Sequence, residues 1–335
     1  MTLPAAPLIV VLDVLAERSR QRFSELVPPT YRLAVARERS VAHRLSLIAG
    51  ATHAITGQVA VPAELLEAAP QLRMVHKWGV GDDNIDLAAA ARLGIAVARL
   101  EGGNARPVAE YTLGLMLATL RHIAWSHRTL QEGIWTGSAL RHDSLMLTGR
   151  TVGIVGCGAI GREVSRLVRA FGCRVLYTQR KRLPAEVEQS LEARYCSLPD
   201  LLSEADIVSL HCPLTEETRG LINARTLAMM KRDAVLINVA RGGVVNEADL
   251  CLALLRGTIL AAACDVFETE PLPADSPLRR LDNLVLSPHI AAIAADNLAP
   301  TVKRMLDNIA RLDRGEPLPP GDLVVARGLR PGAPA

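Results

Sequence analysis

Apolar residues along this chain fall into short runs of strand length, separated by longer stretches in which apolar positions recur at helical spacing. Leu8–Leu12 predicts a strand, Ala16–Leu26 a helix, and Leu47–Thr56 a strand running into a turn. A helix around Ala63–Ala69, a strand at Arg73–Trp78, a helix at Leu87–Leu93 and a strand at Ile95–Ala98 follow. Such alternation predicts a parallel sheet with helices on both faces. Val108–Ile123 is rich in Leu and Ala around most of its circumference, which predicts a buried helix. A second alternating series has strands at Val152–Val155, Arg174–Thr178, Ile207–His211, Ala234–Val239, Leu260–Cys264 and Leu284–Ser287. That series matches a doubly wound domain. The Pro- and Gly-rich stretch after Pro317 predicts a frayed tail, and the last helix should end near Arg314.

Length and composition narrow this picture. A chain of 335 residues is long enough for two domains, each with its own core. Hydrophobic residues make up 49% and aromatics only 3%, as suits an α/β protein built on Ala, Val, Leu and Ile. The net charge of +3 comes without a basic run or stacking aromatics, which argues against nucleic-acid binding. No apolar run reaches bilayer length, and Pro7–Leu12 lacks the basic leader of a signal peptide. Cys157, Cys173, Cys196, Cys212, Cys251 and Cys264 are widely spaced, without metal-ligand spacing. They read as buried reduced thiols in a cytoplasmic protein, with no metal site expected.

The segment Thr151–Gly161 runs from an apolar strand into Gly156-x-Gly158-x-x-Gly161, and a helical pattern follows from Arg162 to Phe171. Strand, glycine turn and helix in this order form the context of a dinucleotide-binding turn. Gly156 permits the turn, Gly158 admits a pyrophosphate close to the backbone, and Gly161 lets helix pack on strand. The diphosphate would rest on unbonded N–H groups at the helix N-terminus, around Ala159 and Ile160.

Three later strands end in polar residues that apolar strands do not need. Arg241 follows Ile237–Ala240, acids lie in Asp265–Pro271, and His289 follows Ser287-Pro288. Ligands of open α/β sheets bind outside the carboxyl ends of strands, so Arg241, an acid and His289 are expected to converge.

On these motifs the chain resembles the D-isomer-specific 2-hydroxyacid dehydrogenases, most clearly from Gly79 to His289. The carriers are Gly79-Val80-Gly81-Asp82-Asp83-Asn84-Ile85-Asp86, Val108-Ala109-Glu110, the glycine turn, His211-Cys212-Pro213-Leu214-Thr215, Asn238–Gly243 and Ser287-Pro288-His289. The glyoxylate/hydroxypyruvate reductase and phosphoglycerate dehydrogenase branches are the most similar. The resemblance implies a Rossmann nucleotide domain (105–289) inserted into a discontinuous, flavodoxin-like substrate domain (1–104 and 290–335). It also implies a homodimer built on the long helix after Asn104. Arg241 would grip the substrate carboxylate and carbonyl, and His289 would protonate the ketone oxygen as hydride arrives. Glu270, rather than Glu268, would hydrogen-bond His289 and stabilise its imidazolium form. The N–H groups of Val80 and Gly81 would hold the substrate carboxylate. The implied dinucleotide contacts are Gly156, Gly158, Ala159, Ile160, Gly161, Gln179, Arg180, Lys181, Arg182, His211, Pro213, Thr218, Val239, Ala240, Arg241, Asp265, His289 and Ala291.

Two departures from the family pattern bear on specificity. Gln179 stands where NAD-selective relatives carry an acid, and Arg180, Lys181 and Arg182 follow it. A carboxylate would repel a 2′-phosphate and these cations would attract it, so NADP(H) is favoured over NAD(H). Ile290-Ala291-Ala292-Ile293 follows His289 where the family often has smaller Gly or Ser, making the pocket more apolar. Lys77 is expected to be a solvated strand-end lysine, the alternative being a partner for a substrate phosphate or second carboxylate. Trp135 is expected in a core near an interface. Two other readings share the fold: a dinucleotide-sensing transcriptional co-regulator and a phosphite-type dehydrogenase.

Overall fold

The computed structural model describes residues 6–135 and 137–328. The chain divides into two compact units, 1–104 with 293–335 and 105–292. The second crossing between them comes after Ala292, three residues later than the sequence reading put it. The reason is local: Ile290 and Ala291 donate their N–H groups to Asp265, and Ala291 packs into the core of the central unit.

The discontinuous unit begins with strands β1 (Leu8–Val11), β2 (Arg32–Val35), β3 (His53–Thr56), β4 (Met74–Lys77) and β5 (Ala96–Ala98), joined by helices α1 (Glu17–Leu26), α2 (Val41–Ile48), α3 (Ala63–Glu67) and α4 (Leu87–Arg92). The strands lie parallel in the order 2-1-3-4-5, the flavodoxin-like arrangement. Leu47 and Ile48, expected in a strand, instead close α2. Ser40 starts that helix by accepting the His43 N–H at 3.3 Å, and Ile48 is its buried face. Trp78, just beyond β4, packs against Phe23 of α1 with ring centroids 5.4 Å apart.

The central unit opens with α5 (Ala105–Leu120) and α6 (Ile123–Gln131), separated at His122, whose φ of 52° ends the helix earlier than expected. It continues through β6 (Thr151–Val155), α7 (Ala159–Ala170), β7 (Arg174–Thr178), α8 (Ala185–Leu191), β8 (Ala193–Tyr195), α9 (Leu198–Glu204), β9 (Ile207–Leu210), α10 (Ala224–Leu227), β10 (Val235–Asn238), α11 (Glu247–Leu255), β11 (Ala261–Cys264) and β12 (Leu284–Leu286). Counted within the unit, the sheet order is 3-2-1-4-5-6-7, the Rossmann order with one added strand. The short strand β8 carries Arg194 and half-buried Tyr195, too brief and too polar for the hydrophobic pattern to mark.

The chain then returns to the first unit as α12 (Leu298–Arg314) and β13 (Leu323–Val325). The expected frayed tail is therefore corrected over 323–325, which pairs antiparallel with β5. Buried Asp322 anchors it, accepting from Glu101 N at 2.9 Å, from Arg304 and from Asn308. Residues 329–335 of the expected tail lie outside the described residues. A second correction concerns Trp135, which is 85% exposed rather than in a core.

Candidate active site

Register brings the site together. Val155 pairs with Thr178 and Leu210, Leu210 with Asn238, Asn238 with Cys264, and Cys264 with Leu286. The carboxyl ends of these strands therefore stand level, and the loops after them emerge side by side along one edge.

The glycine turn occupies the middle of that edge. Gly156 has φ +93°, and a Cβ there would lie 2.7 Å from Cys212 N, so the chain closes only with glycine. A Cβ on Gly161 would collide with the Gly156 carbonyl, whereas one on Gly158 would meet nothing within 4 Å. The first and third glycines serve packing of the protein on itself; the second faces open space. Helix α7 starts immediately behind, with Gly158 as an N-cap that offers no side chain. The N–H groups at its start, Ala159 and Ile160 among them, thus present the positive end of a three-turn helix. His211 follows β9 close by, its Nε2 2.8 Å from Ser209 Oγ. Its Nδ1 is buried with no hydrogen-bond partner among the described residues, and burial pushes the imidazole down to about 3. It is therefore neutral at working pH. An open cradle, an uncapped helix start and an orphaned buried nitrogen fit a dinucleotide diphosphate and ribose.

The basic loop after β7 is less uniform than its sequence. Gln179 folds back: its Oε1 accepts from Cys157 N at 3.0 Å, and its Nε2 donates to Lys181 O at 2.6 Å. Arg182 forks onto both oxygens of Glu188 at 2.8 Å and lies 5.6 Å from the Tyr195 ring centroid. Tyr177 donates to the same carboxylate, which these contacts hold down at about 2. Arg182 is thus tied into its own fold, a departure from its expected role toward a phosphate. Arg180 and Lys181 are exposed; Glu217 nearby lies below the usual carboxylate range chiefly because Thr215 donates to it, with the charge of Arg180 the smallest contribution. Across the edge, Thr218 closes the next loop by donating to Pro213 O at 2.6 Å and accepting from Thr215 N at 2.7 Å.

The proposed catalytic groups follow β10, β11 and β12. Asn238, buried at the end of β10, shapes the Arg241 turn: its Nδ2 donates to Arg241 O and its Oδ1 accepts from Ala240 N, both at 3.1 Å. Val239 and Ala240 are buried in that turn. Arg241 donates to Ala240 O at 2.8 Å. Gly242 lies so close to Phe267 that any Cβ would overlap its carbonyl, so the β10 and β11 loops touch backbone to backbone. Glu270 accepts from Phe267 N at 3.0 Å and meets His289 Nδ1 at 2.7 Å. Burial raises the Glu270 carboxyl, but the His289 and Phe267 hydrogen bonds and the charge of Arg241 outweigh it, leaving the group below its ordinary value. A carboxylate only accepts, so Nδ1 carries the hydrogen of this bond.

Asp265 has a role that sequence reasoning missed. Its oxygens accept from Ser287 Oγ at 2.6 Å, Ile290 N at 3.0 Å and Ala291 N at 2.9 Å, and its carbonyl accepts from His289 N at 2.7 Å. It is 1% exposed, and His289 at the centre of this wrap has φ 54°. A β-carbon residue in that region is held there by its surroundings. The expectation of Asp265 as a dinucleotide contact meets a carboxylate already engaged by its own chain.

Val80 and Gly81 lie in the other unit, in a braced loop. Leu100 N donates to Gly79 O at 2.9 Å, and Arg99 pairs with Asp82 at 3.3 Å. Lys77 is buried rather than solvated, donating to Asn84 Oδ1 at 2.6 Å and to Gly57 O. This corrects the expectation of a solvated strand-end lysine.

The profile of the D-isomer specific 2-hydroxyacid dehydrogenase, NAD binding domain, matches residues 113–291. Glyoxylate reductase of Korarchaeum cryptofilum is 41% identical over 78% of each chain. Hydroxypyruvate reductase of Thermotoga maritima is 41% identical over 70% of this chain and 76% of its own. Among solved structures, the NADPH-dependent glyoxylate/hydroxypyruvate reductase of Sinorhizobium meliloti superposes with a TM-score of 0.81, at 30% identity, over 97% and 99% of the two chains. Glycine turn, strand order and these matches agree: the chain belongs to the D-isomer specific 2-hydroxyacid dehydrogenase family, enzymes that use a nicotinamide dinucleotide.

Proposed function

We propose that this enzyme reduces a small, unphosphorylated 2-keto acid, of the glyoxylate or hydroxypyruvate kind, and prefers NADPH to NADH. The observation that carries the reading is the Glu270–His289 pair at 2.7 Å, under the field of Arg241 and behind a dinucleotide cradle. The dinucleotide supplies the hydride. Arg241 holds the keto acid by a planar two-point contact, and the N–H groups of Val80 and Gly81 take its carboxylate. His289 gives the proton to the ketone oxygen from Nε2 while Glu270 keeps Nδ1 bonded and stabilises the positive ring. The engagement of Lys77 inside its own loop supports a substrate without phosphate. The test is the initial rate of NADPH and NADH oxidation with glyoxylate, hydroxypyruvate, pyruvate and 3-phosphohydroxypyruvate. Fast NADPH oxidation with glyoxylate or hydroxypyruvate is expected; preference for the phosphorylated acid overturns the substrate assignment.

For the cofactor, Gln179 removes the repelling acid, and Arg180 with Lys181 supplies exposed positive charge for a 2′-phosphate. Arg180→Ala is expected to lower kcat/KM for NADPH about tenfold or more, the scale of one charge-assisted phosphate contact. NADH should be little affected, and Arg182→Ala should change the ratio less because Arg182 serves Glu188. A wild-type kcat/KM that is higher for NADH than for NADPH sinks this assignment. Six free, buried thiols support a reducing, cytoplasmic setting. Exposed Ile123, Leu130, Ile134, Trp135 and Met146 beyond α5 support a homodimer. Light scattering should then report two 36.0 kDa chains rather than one.

A further inference from the structure

The geometry points to Glu247 and Glu268 as a reciprocal clamp, two positioning residues that hold Glu270 and, through it, His289. Glu268 belongs to the β11 loop, two residues before Glu270; Glu247 opens α11, six residues after Arg241. Glu247 N donates to Glu268 Oε1 at 3.1 Å, and Glu268 N donates to Glu247 Oε1 at 2.6 Å. Each carboxylate satisfies the main-chain N–H of the other residue, so two charge-assisted bonds close a ring between the loops. Gly242 makes the ring possible by letting the Phe267–Glu268 backbone settle on the Arg241 loop. From the ring the path is short: Phe267 N donates to Glu270 Oε1, and Glu270 Oε2 takes His289 Nδ1.

Helix capping alone does not account for Glu247. That duty falls to Asn246, whose side chain accepts from Asp249 N at 3.0 Å. Glu247 instead reaches a neighbouring loop. Two acids face each other here because each has an N–H donor and Glu247 also sits at the positive end of α11. Burial, then the charges of Glu268 and Glu270, push the Glu247 carboxyl up, so the three acids share one local field.

The clamp rests on the proposed catalytic reading only in its kinetic arm. Glu268→Ala and Glu247→Ala are expected to lower kcat on glyoxylate about tenfold, with KM for NADPH within about twofold of wild type. Glu268→Gln and Glu247→Gln, which keep an accepting oxygen, are expected to recover most of that loss. The structural arm is hydrogen exchange at the Phe267 and Glu268 amides, expected to be at least about tenfold faster in Glu247→Ala. Glu268→Ala breaks the same ring from the other side should one variant fold poorly. Wild-type kcat in both Ala variants, Gln variants as slow as Ala, or unchanged amide exchange each overturn the clamp. If the wild-type enzyme turns over none of the four keto acids, the catalytic reading fails and amide exchange alone decides the clamp.

Discussion

His289→Ala and Arg241→Ala are each expected to lower kcat by about a thousandfold or more while the protein still folds and binds dinucleotide. A positioned general acid contributes roughly 10²–10⁴ in rate, and His289 is the residue whose Nδ1 is fixed by a carboxylate at 2.7 Å. Arg241 combines fixed charge with planar donors, which a truncated side chain cannot supply. Both are among the implied dinucleotide contacts, but the glycine turn and helix start that would hold the diphosphate are untouched, so dinucleotide binding should survive in both. Steady-state kinetics on glyoxylate, paired with fluorescence titration of NADPH, would check this. Turnover within about tenfold of wild type in either variant would remove that residue from the catalytic assignment. Glu270→Gln should fall between: the amide can still accept from Nδ1 but no longer balances the charge on the ring.

Asp265→Ala should lower stability and turnover together. The substitution strips partners from Ser287 Oγ, Ile290 N and Ala291 N, around a residue that is 1% exposed. A buried donor left without a partner costs about 1–3 kcal/mol, so a loss of roughly 3 kcal/mol is expected for the site. In a unit of this size that corresponds to a fall of about 6–12 °C in Tm. His289, at φ 54°, loses the wrap that keeps it in a sparsely populated conformation, and kcat is expected to fall about 10–100-fold. Differential scanning calorimetry and kinetics together check the prediction. If the carboxylate instead serves the dinucleotide directly, KM for NADPH will rise by more than kcat falls, with Tm near wild type.

Much of the fold is local information. The buried strands of both sheets, such as β1, β4, β6, β9, β10 and β11, are short apolar runs whose bounds follow the hydrophobic pattern to within a residue or two, whereas β3 starts at His53 rather than Leu47 and the edge strand β2, only half-buried, is not marked by it at all. The glycine turn is largely local as well, because Gly161 packs on the Gly156 carbonyl and Gly156 needs a φ of +93°, although the backbone that closes on Gly156 is the distant His211–Cys212. Arg241 and His289 stand out because each is a polar residue just past an apolar strand, whereas Glu270 is singled out among the acids of Asp265–Pro271 only by resemblance to the family. The pattern fails where a segment is short or takes its partner from far away: β8 is three residues long, and β13 is held by Asp322 bonding α12 and Glu101.

Side-chain engagement is what sequence alone leaves undetermined. Arg180, Lys181 and Arg182 read as equivalent cations, yet Glu188 on α8 claims Arg182. Lys77 reads as solvated, yet Asn84 and Gly57 draw it inward. Asp265 reads as a ligand contact, yet the chain from Ser287 to Ala291 wraps its carboxylate. The hydrophobic period, the glycine turn and the polar strand ends are written along the chain, and so the sequence by itself determined the alternating α/β class, most of the buried strands, the glycine turn and which polar residues are candidates for the chemistry. Which charges face a ligand and which are consumed within the protein depends on hydrogen-bond partners brought together by parallel strands with level ends, and only the tertiary structure decided that.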